Sequence, residues 1–164
     1  MVKKMKIKAT TDAPFVGRMT LTADGELLTQ KINIKRTKDN SKLPTQGTAG
    51  AAGWDLYANV DTPSGCVIID PHTSHMVDTG VAAAIPQGCV GLLFARSGLA
   101  SKHHLRPSNA VGVIDSDYRG DIMVSLHNDS NEHQLIKDGD RIAQLVVVPF
   151  IPLELNEVEE LDET

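Results

Sequence analysis

Four stretches of this sequence place polar residues where an apolar pattern would otherwise run on, and each could do chemistry. In LLFARSGLASKHH an apolar strand gives way to Arg96-Ser97-Gly98 at what reads as a helix start. Backbone N–H groups at such a start carry partial positive charge, and the adjacent Arg adds a two-pronged donor suited to phosphate oxygens. The same residues would also serve as a plain helix start with a surface Arg. In NAVGVIDSDYRGDIMVSLHN a strand reaches Asp115, turns through Ser116-Asp117 and returns through Tyr118-Arg119-Gly120, a pattern that predicts a β-hairpin. Asp115 and Asp117 could simply brace that turn through bonds to backbone N–H groups. Tyr118 suits a turn less well. Its ring offers a flat face to a sugar or base, exposed strand backbone can read a base's hydrogen-bonding edge, and a neighbouring carboxylate could accept a proton.

The third stretch, DGDRIAQLVVVPF, turns at Asp138-Gly139-Asp140 and then breaks an apolar strand with Arg141 and Gln144. Each of those side chains must reach water, a partner or a ligand, or point outward from an edge strand. In the fourth, TAGAAGWDLYAN, a Gly/Ala loop fit for close backbone packing leads into a strand that carries Asp55.

The elements that must position these residues read as almost all β. Short runs rich in Val, Ile and Leu (INIKR, CVIID, HMVDTGVAAAI, GCVGLLFA, AVGVID, DIMVSLHN, RIAQLVVVPF) recur between Gly, Pro, Asp, Asn and Ser clusters, the spacing of a sandwich or barrel. In DIMVSLHN, Ile122, Val124 and Leu126 alternate with Ser125 and His127, so one face of that strand is expected to be buried. Residues 1–30 hold two strand-like pieces, MKIKAT and RMTLTAD, that read as an N-terminal extension able to pair as a hairpin. The main domain is expected over 31–155, and 156–164 form an acidic tail.

Composition narrows the function. A chain of 164 residues with 41% hydrophobic content suits one domain with a true core. Its formal net charge of -5 argues against wrapping a nucleic-acid backbone, so an anionic substrate must be met by a few placed cations. No stretch approaches the roughly 18 apolar residues of a membrane span, and no signal-peptide pattern follows the basic start, which predicts an intracellular, cytoplasmic protein of a cell or of a virus that infects it. Cys66 and Cys89 read as two thiols without a functional role. His72, His75, His103 and His104 lack the further ligands that a zinc site needs.

Taken in order, AAGWDLYA, ARSGLASKH, GVIDSDYRGD and GDRIAQLVV closely resemble the first four of five motifs of the trimeric dUTPase family, over roughly residues 31 to 150. The resemblance implies a distorted jelly-roll β-barrel of β-clip type, a homotrimer with active sites at subunit interfaces, and hydrolysis of dUTP to dUMP and pyrophosphate. It makes Asp115 the general base that activates water for attack at the α-phosphorus. Arg96, Ser97, Gly98 and Gln144 would bind phosphate, while Asn109, Gly112, Val113, Ile114 and Tyr118 would hold uracil and deoxyribose. Magnesium would ride on the triphosphate, with Asp55 as a candidate holder of one of its waters. The Gly-rich fifth motif, which in the family follows an acidic stretch like this tail, is absent from the chain, and Ala95 stands where the family often has Pro. Two other readings remain open: a dUTPase-like nucleotide-binding regulatory protein, and the related dCTP deaminase, which needs a catalytic Glu and a different hairpin.

Overall fold

The computed structural model describes residues 31–162, so the expected N-terminal hairpin lies outside the described residues. The chain forms β1 (Asn33–Arg36), β2 (Thr45–Gln46), β3 (Trp54–Tyr57), β4 (Cys66–Ile69), β5 (Ser74–Asp78), β6 (Val81–Ala84) and β7 (Cys89–Phe94). There follow α1 (Ser97–His103), β8 (Leu105–Pro107), β9 (Gly112–Ile114), β10 (Met123–Asn128), β11 (Gln134–Lys137) and β12 (Arg141–Pro149). The strands pair, always antiparallel, as β2-β3-β12-β7-β9, β5-β10-β8, β1-β6 and β4-β11. Short strands in small sheets closing on one core make the distorted jelly-roll barrel that the resemblance implies.

That core draws on strands from all four sheets. Leu56, Leu126 and Ile142 are fully buried, with Ile69, Leu105 and Ile136 beside them. Full burial of each such side chain contributes about 1.5–3 kcal/mol. β10 behaves as its alternation predicts: Ile122, Val124 and Leu126 face inward and Met123 outward. After β12 the Phe150 N–H still donates to the Gly88 carbonyl at 3.1 Å; beyond it residues 151–162 pair with no described strand, and the alternate residues Ile151, Leu153 and Leu155 are 75%, 82% and 100% exposed. Among the described residues no helix is long and apolar enough to cross a membrane.

One expectation is corrected. β9 and β10 do not form a hairpin: β9 pairs with β7 at the edge of the five-stranded sheet, while β10 pairs with β5 and β8 in another. The intervening residues 115–122 therefore carry the chain from one sheet to the other. The reason lies in burial, because the buried residues of both strands contribute to one core from different walls and a flat two-stranded ladder would not bring them there.

β8 is fastened to β10 by its ladder and by a two-pronged ion pair, Arg106 Nε to Asp129 Oδ2 at 2.7 Å and Arg106 Nη2 to Oδ1 at 3.0 Å. Arg106 holds the Asp129 carboxyl below its ordinary value of 3.8. A carboxyl lowered by folding stabilises the fold above its unfolded value and loses that contribution as pH falls through the folded one. The gap in thermal midpoint between the parent protein and Asp129→Asn is therefore expected to close as the pH of the melt is taken below 3.8. The gap is small throughout, since both side chains are 42% exposed and solvent screens them. A gap that stays constant with pH would assign the pair no part in acid stability.

Candidate active site

Asp55 sits in the second position of β3, 3% exposed, and three side chains converge on its carboxylate. Arg96 Nε donates to Oδ1 at 2.8 Å, Gln144 Nε2 donates to the same oxygen at 3.2 Å, and Arg141 Nη1 donates to Oδ2 at 3.1 Å. Two guanidinium groups offset what a carboxylate loses on leaving water. The register of β12 on β3 explains how both polar residues of β12 arrive there. Arg141 lies opposite Tyr57, Ala143 opposite Leu56 and Gln144 opposite Asp55, so the strand advances two residues against one of its partner. Residues three apart in a regular strand face opposite ways; this β-bulge at Ile142 turns Arg141 and Gln144 to the same side. Ile142 and Ala143 are in consequence both fully buried.

The start of β12 is fixed from behind. Asp138 Oδ1 accepts from the Val60 N–H at 2.9 Å, Asp140 Oδ2 from the Lys137 N–H at 2.8 Å, and the Ala58 N–H donates to the Asp140 carbonyl at 2.7 Å. These two acids brace the turn that the sequence predicts at Asp138-Gly139-Asp140.

Arg96 is also the N-cap residue of α1; its guanidinium has no acceptor with which to cap the helix and donates instead to Asp55. Ser97 and Gly98 form the first exposed residues of the helix, as the sequence predicts. A cavity of about 340 Å³ opens between α1 and the β11–β12 turn, lined by Arg96, Gly98, Lys102 and Arg141 with Asp140 as the one acidic side chain among its walls. Such a cation-rich hollow suits an anion.

The remaining predicted residues gather elsewhere. Asn109, Gly112, Val113, Ile114, Asp115 and Tyr118 all line a second cavity, of about 330 Å³. One of its walls is β9, whose outer edge has no ladder partner among the described residues, so backbone donors and acceptors are available there. Gly112 allows close approach: a Cβ on it would lie 3.0 Å from Cβ of Leu93. Tyr118 is pinned by its hydroxyl, which donates to the Asp121 carbonyl at 3.0 Å, and its phenol lies where a side chain at Gly120 would clash. Asp115 is exposed and its carboxylate bonds to no described residue, leaving its oxygens open to water. Met76 of β5 and Met123 of β10 complete the wall. Sequence reasoning missed both, since the face of a methionine is known only once strand pairing is known.

A family model described as dUTPase matches residues 39–164. The chain belongs to the dUTPase family. It is 47% identical over 135 residues to the deoxyuridine 5'-triphosphate nucleotidohydrolase of Desulfitobacterium hafniense, covering 82% of this chain and 87% of that one. It is 37% identical over 153 residues to the human mitochondrial protein of that name, covering 93% of this chain and 58% of that one. Among solved structures, the dUTPase from phage phi11 of S. aureus matches with a TM-score of 0.70 at 28% identity, over 82% of this chain and 100% of that one. The dUTPase of Staphylococcus bacteriophage 80alpha matches with a TM-score of 0.69 at 31% identity, over 82% of this chain and 100% of that one.

Within this dUTPase chain the two cavities share no lining residue: Asp115 and Tyr118 belong to one, Arg96 and Arg141 to the other. The donor set bears on a metal as well. Among the described residues no three His, Cys, Asp or Glu side chains gather as a metal cage. Asp55 already accepts three hydrogen bonds and has two arginines within 3.1 Å, which leave one acceptor position and repel a further cation. The carboxylate of Asp55 is thus set to hold cationic side chains in place rather than to ligate a metal ion directly.

Proposed function

We propose that this chain is a dUTP diphosphatase that hydrolyses dUTP to dUMP and pyrophosphate inside the cell. The observation that carries this reading is the second cavity, in which a pinned tyrosine, a strand edge that no described strand pairs and an open carboxylate meet. Uracil is read by the backbone around Gly112–Ile114, with Asn109 beside it. Uracil and cytosine exchange a donor for an acceptor, so a fixed backbone pattern leaves groups unpaired against the wrong base. Tyr118 packs on the deoxyribose and crowds a 2′-hydroxyl.

Asp115 orients a water and takes its proton as the water oxygen bonds to the α-phosphorus; the bond to the bridging oxygen breaks and pyrophosphate leaves. Arg96, Ser97, Gly98 and Gln144 bind the phosphates and meet the developing charge. Magnesium, when bound, neutralises charge on the triphosphate oxygens and remains largely hydrated. No residue becomes covalently attached.

A homotrimer with sites between subunits agrees with two features. The base cavity and the cation-rich cavity are separate on one chain, so a second copy can bring the two together. The strip Ile151, Leu153 and Leu155 is an extended apolar edge of the kind another copy would cover. Related phage proteins support the ligand class: an 80alpha dUTPase variant was solved with dUpNHpp, and a phi11 variant with a structural Mg(II) ion.

Pyrophosphate release from dUTP, with dTTP, dCTP and UTP as controls and with and without magnesium, tests the proposal. Release selective for dUTP is the expected result. Tight dUTP binding without release would instead favour a nucleotide-binding regulator, and ammonia released from dCTP would favour a deaminase.

A further inference from the structure

Arg141 has no part in the mechanism above, yet the fold goes out of its way to place it. A regular β12 would turn it away from Gln144; the bulge at Ile142 brings the two to one side, and Arg141 takes the carboxylate oxygen of Asp55 that Arg96 and Gln144 leave free. The carboxylate of Asp55 can rotate about its terminal torsion, which is broad. With Oδ2 held by Arg141 at 3.1 Å, Oδ1 is fixed toward Arg96 and Gln144. Nearly half of the Arg141 side chain remains exposed, so a purely structural need for it is weak.

We propose that Arg141 is a positioning residue: acting through Asp55, it sets the orientation of Arg96 and Gln144 toward the phosphates of the substrate. This rests on the reading that Arg96 and Gln144 bind those phosphates. Positioning of this kind matters most where charge develops, so its loss falls on phosphate recognition and turnover and spares the base and sugar.

The full chain is compared with Arg141→Ala, Arg141→Lys, Arg96→Ala, Asp55→Asn and the Arg141→Ala/Asp55→Asn double variant. Calorimetry gives affinity for deoxyuridine and for a non-hydrolysable dUTP analogue, and steady-state assays give kcat and KM. Arg141→Ala is expected to leave deoxyuridine affinity within about twofold, weaken the analogue about tenfold and lower kcat by a similar factor. Arg141→Lys, which keeps the charge at Asp55, restores part of the loss. In the double variant the loss is no greater than in Asp55→Asn alone, because both changes cut the same link.

A full additional loss in the double variant would mean that Arg141 acts on the ligand itself, which overturns the inference. Equal weakening of deoxyuridine and the analogue would also overturn it, leaving Arg141 a structural residue. If Arg96→Ala leaves analogue affinity untouched, the phosphate reading of this cavity fails whatever Arg141 does. If Arg96→Ala weakens the analogue and Arg141→Ala does not, only the positioning role fails.

Discussion

Replacing Asp115 by Asn is expected to slow pyrophosphate release from dUTP by roughly two to four orders of magnitude while affinity for a non-hydrolysable analogue changes less than about threefold. The asparagine keeps the size of the side chain and one acceptor oxygen, so a water can still sit beside it. It cannot take the proton that the water must lose as its oxygen bonds to phosphorus. The fold is indifferent to the change, because Asp115 is exposed and its carboxylate bonds to no described residue. Rate, affinity and thermal midpoint, measured on one preparation, separate these effects. A variant that keeps its rate would remove Asp115 from the mechanism; one that loses affinity and rate together would make it a ligand contact.

Asp55→Ala is expected to cost both activity and stability. Removing the carboxylate leaves Arg96, Arg141 and Gln144 without their shared acceptor. Breaking a fully buried ion pair costs about 3–5 kcal/mol. Here the arginine side chains retain 23% and 49% exposure and can turn to water, so a loss of about 1–3 kcal/mol is the fitting expectation. Activity suffers more, because the released guanidinium of Arg96 no longer meets the phosphates in one fixed geometry. The check is denaturant unfolding beside kcat/KM for dUTP. An Asp55→Ala protein that unfolds earlier yet turns over normally would confine Asp55 to a structural role.

Much of this is legible in the amino-acid sequence. Ile122, Val124 and Leu126 mark their strand because its two faces meet different surroundings, and period-two alternation reports that directly. The residues assigned to the base and sugar, from Asn109 to Tyr118, do line one cavity with Asp115, since a single short stretch of chain supplies them all. What the sequence hides is partnership. The turn residues Ser116, Asp117 and Gly120 look the same whether the chain folds back on itself or crosses to another sheet, so the sequence pattern predicts a hairpin where β9 and β10 in fact lie in different sheets. Thr45–Gln46 and Leu105–Pro107 are too short and too mixed to signal strands by themselves. The convergence of Arg141 and Gln144 was hidden for a similar reason. Their spacing of three puts them on opposite faces by simple parity, and only the register shift against β3 reverses that.

Residues 151–162, which pair with no described strand, bear on how robust the protein is. A chain alone in water leaves Ile151, Leu153 and Leu155 hydrated, whereas in the proposed trimer a second copy covers them. Folding is then coupled to mass action: each tenfold dilution takes about 1.4 kcal/mol from every association step. Resistance to heat thus becomes a matter of abundance as well as of sequence, with scarce protein the first to fail.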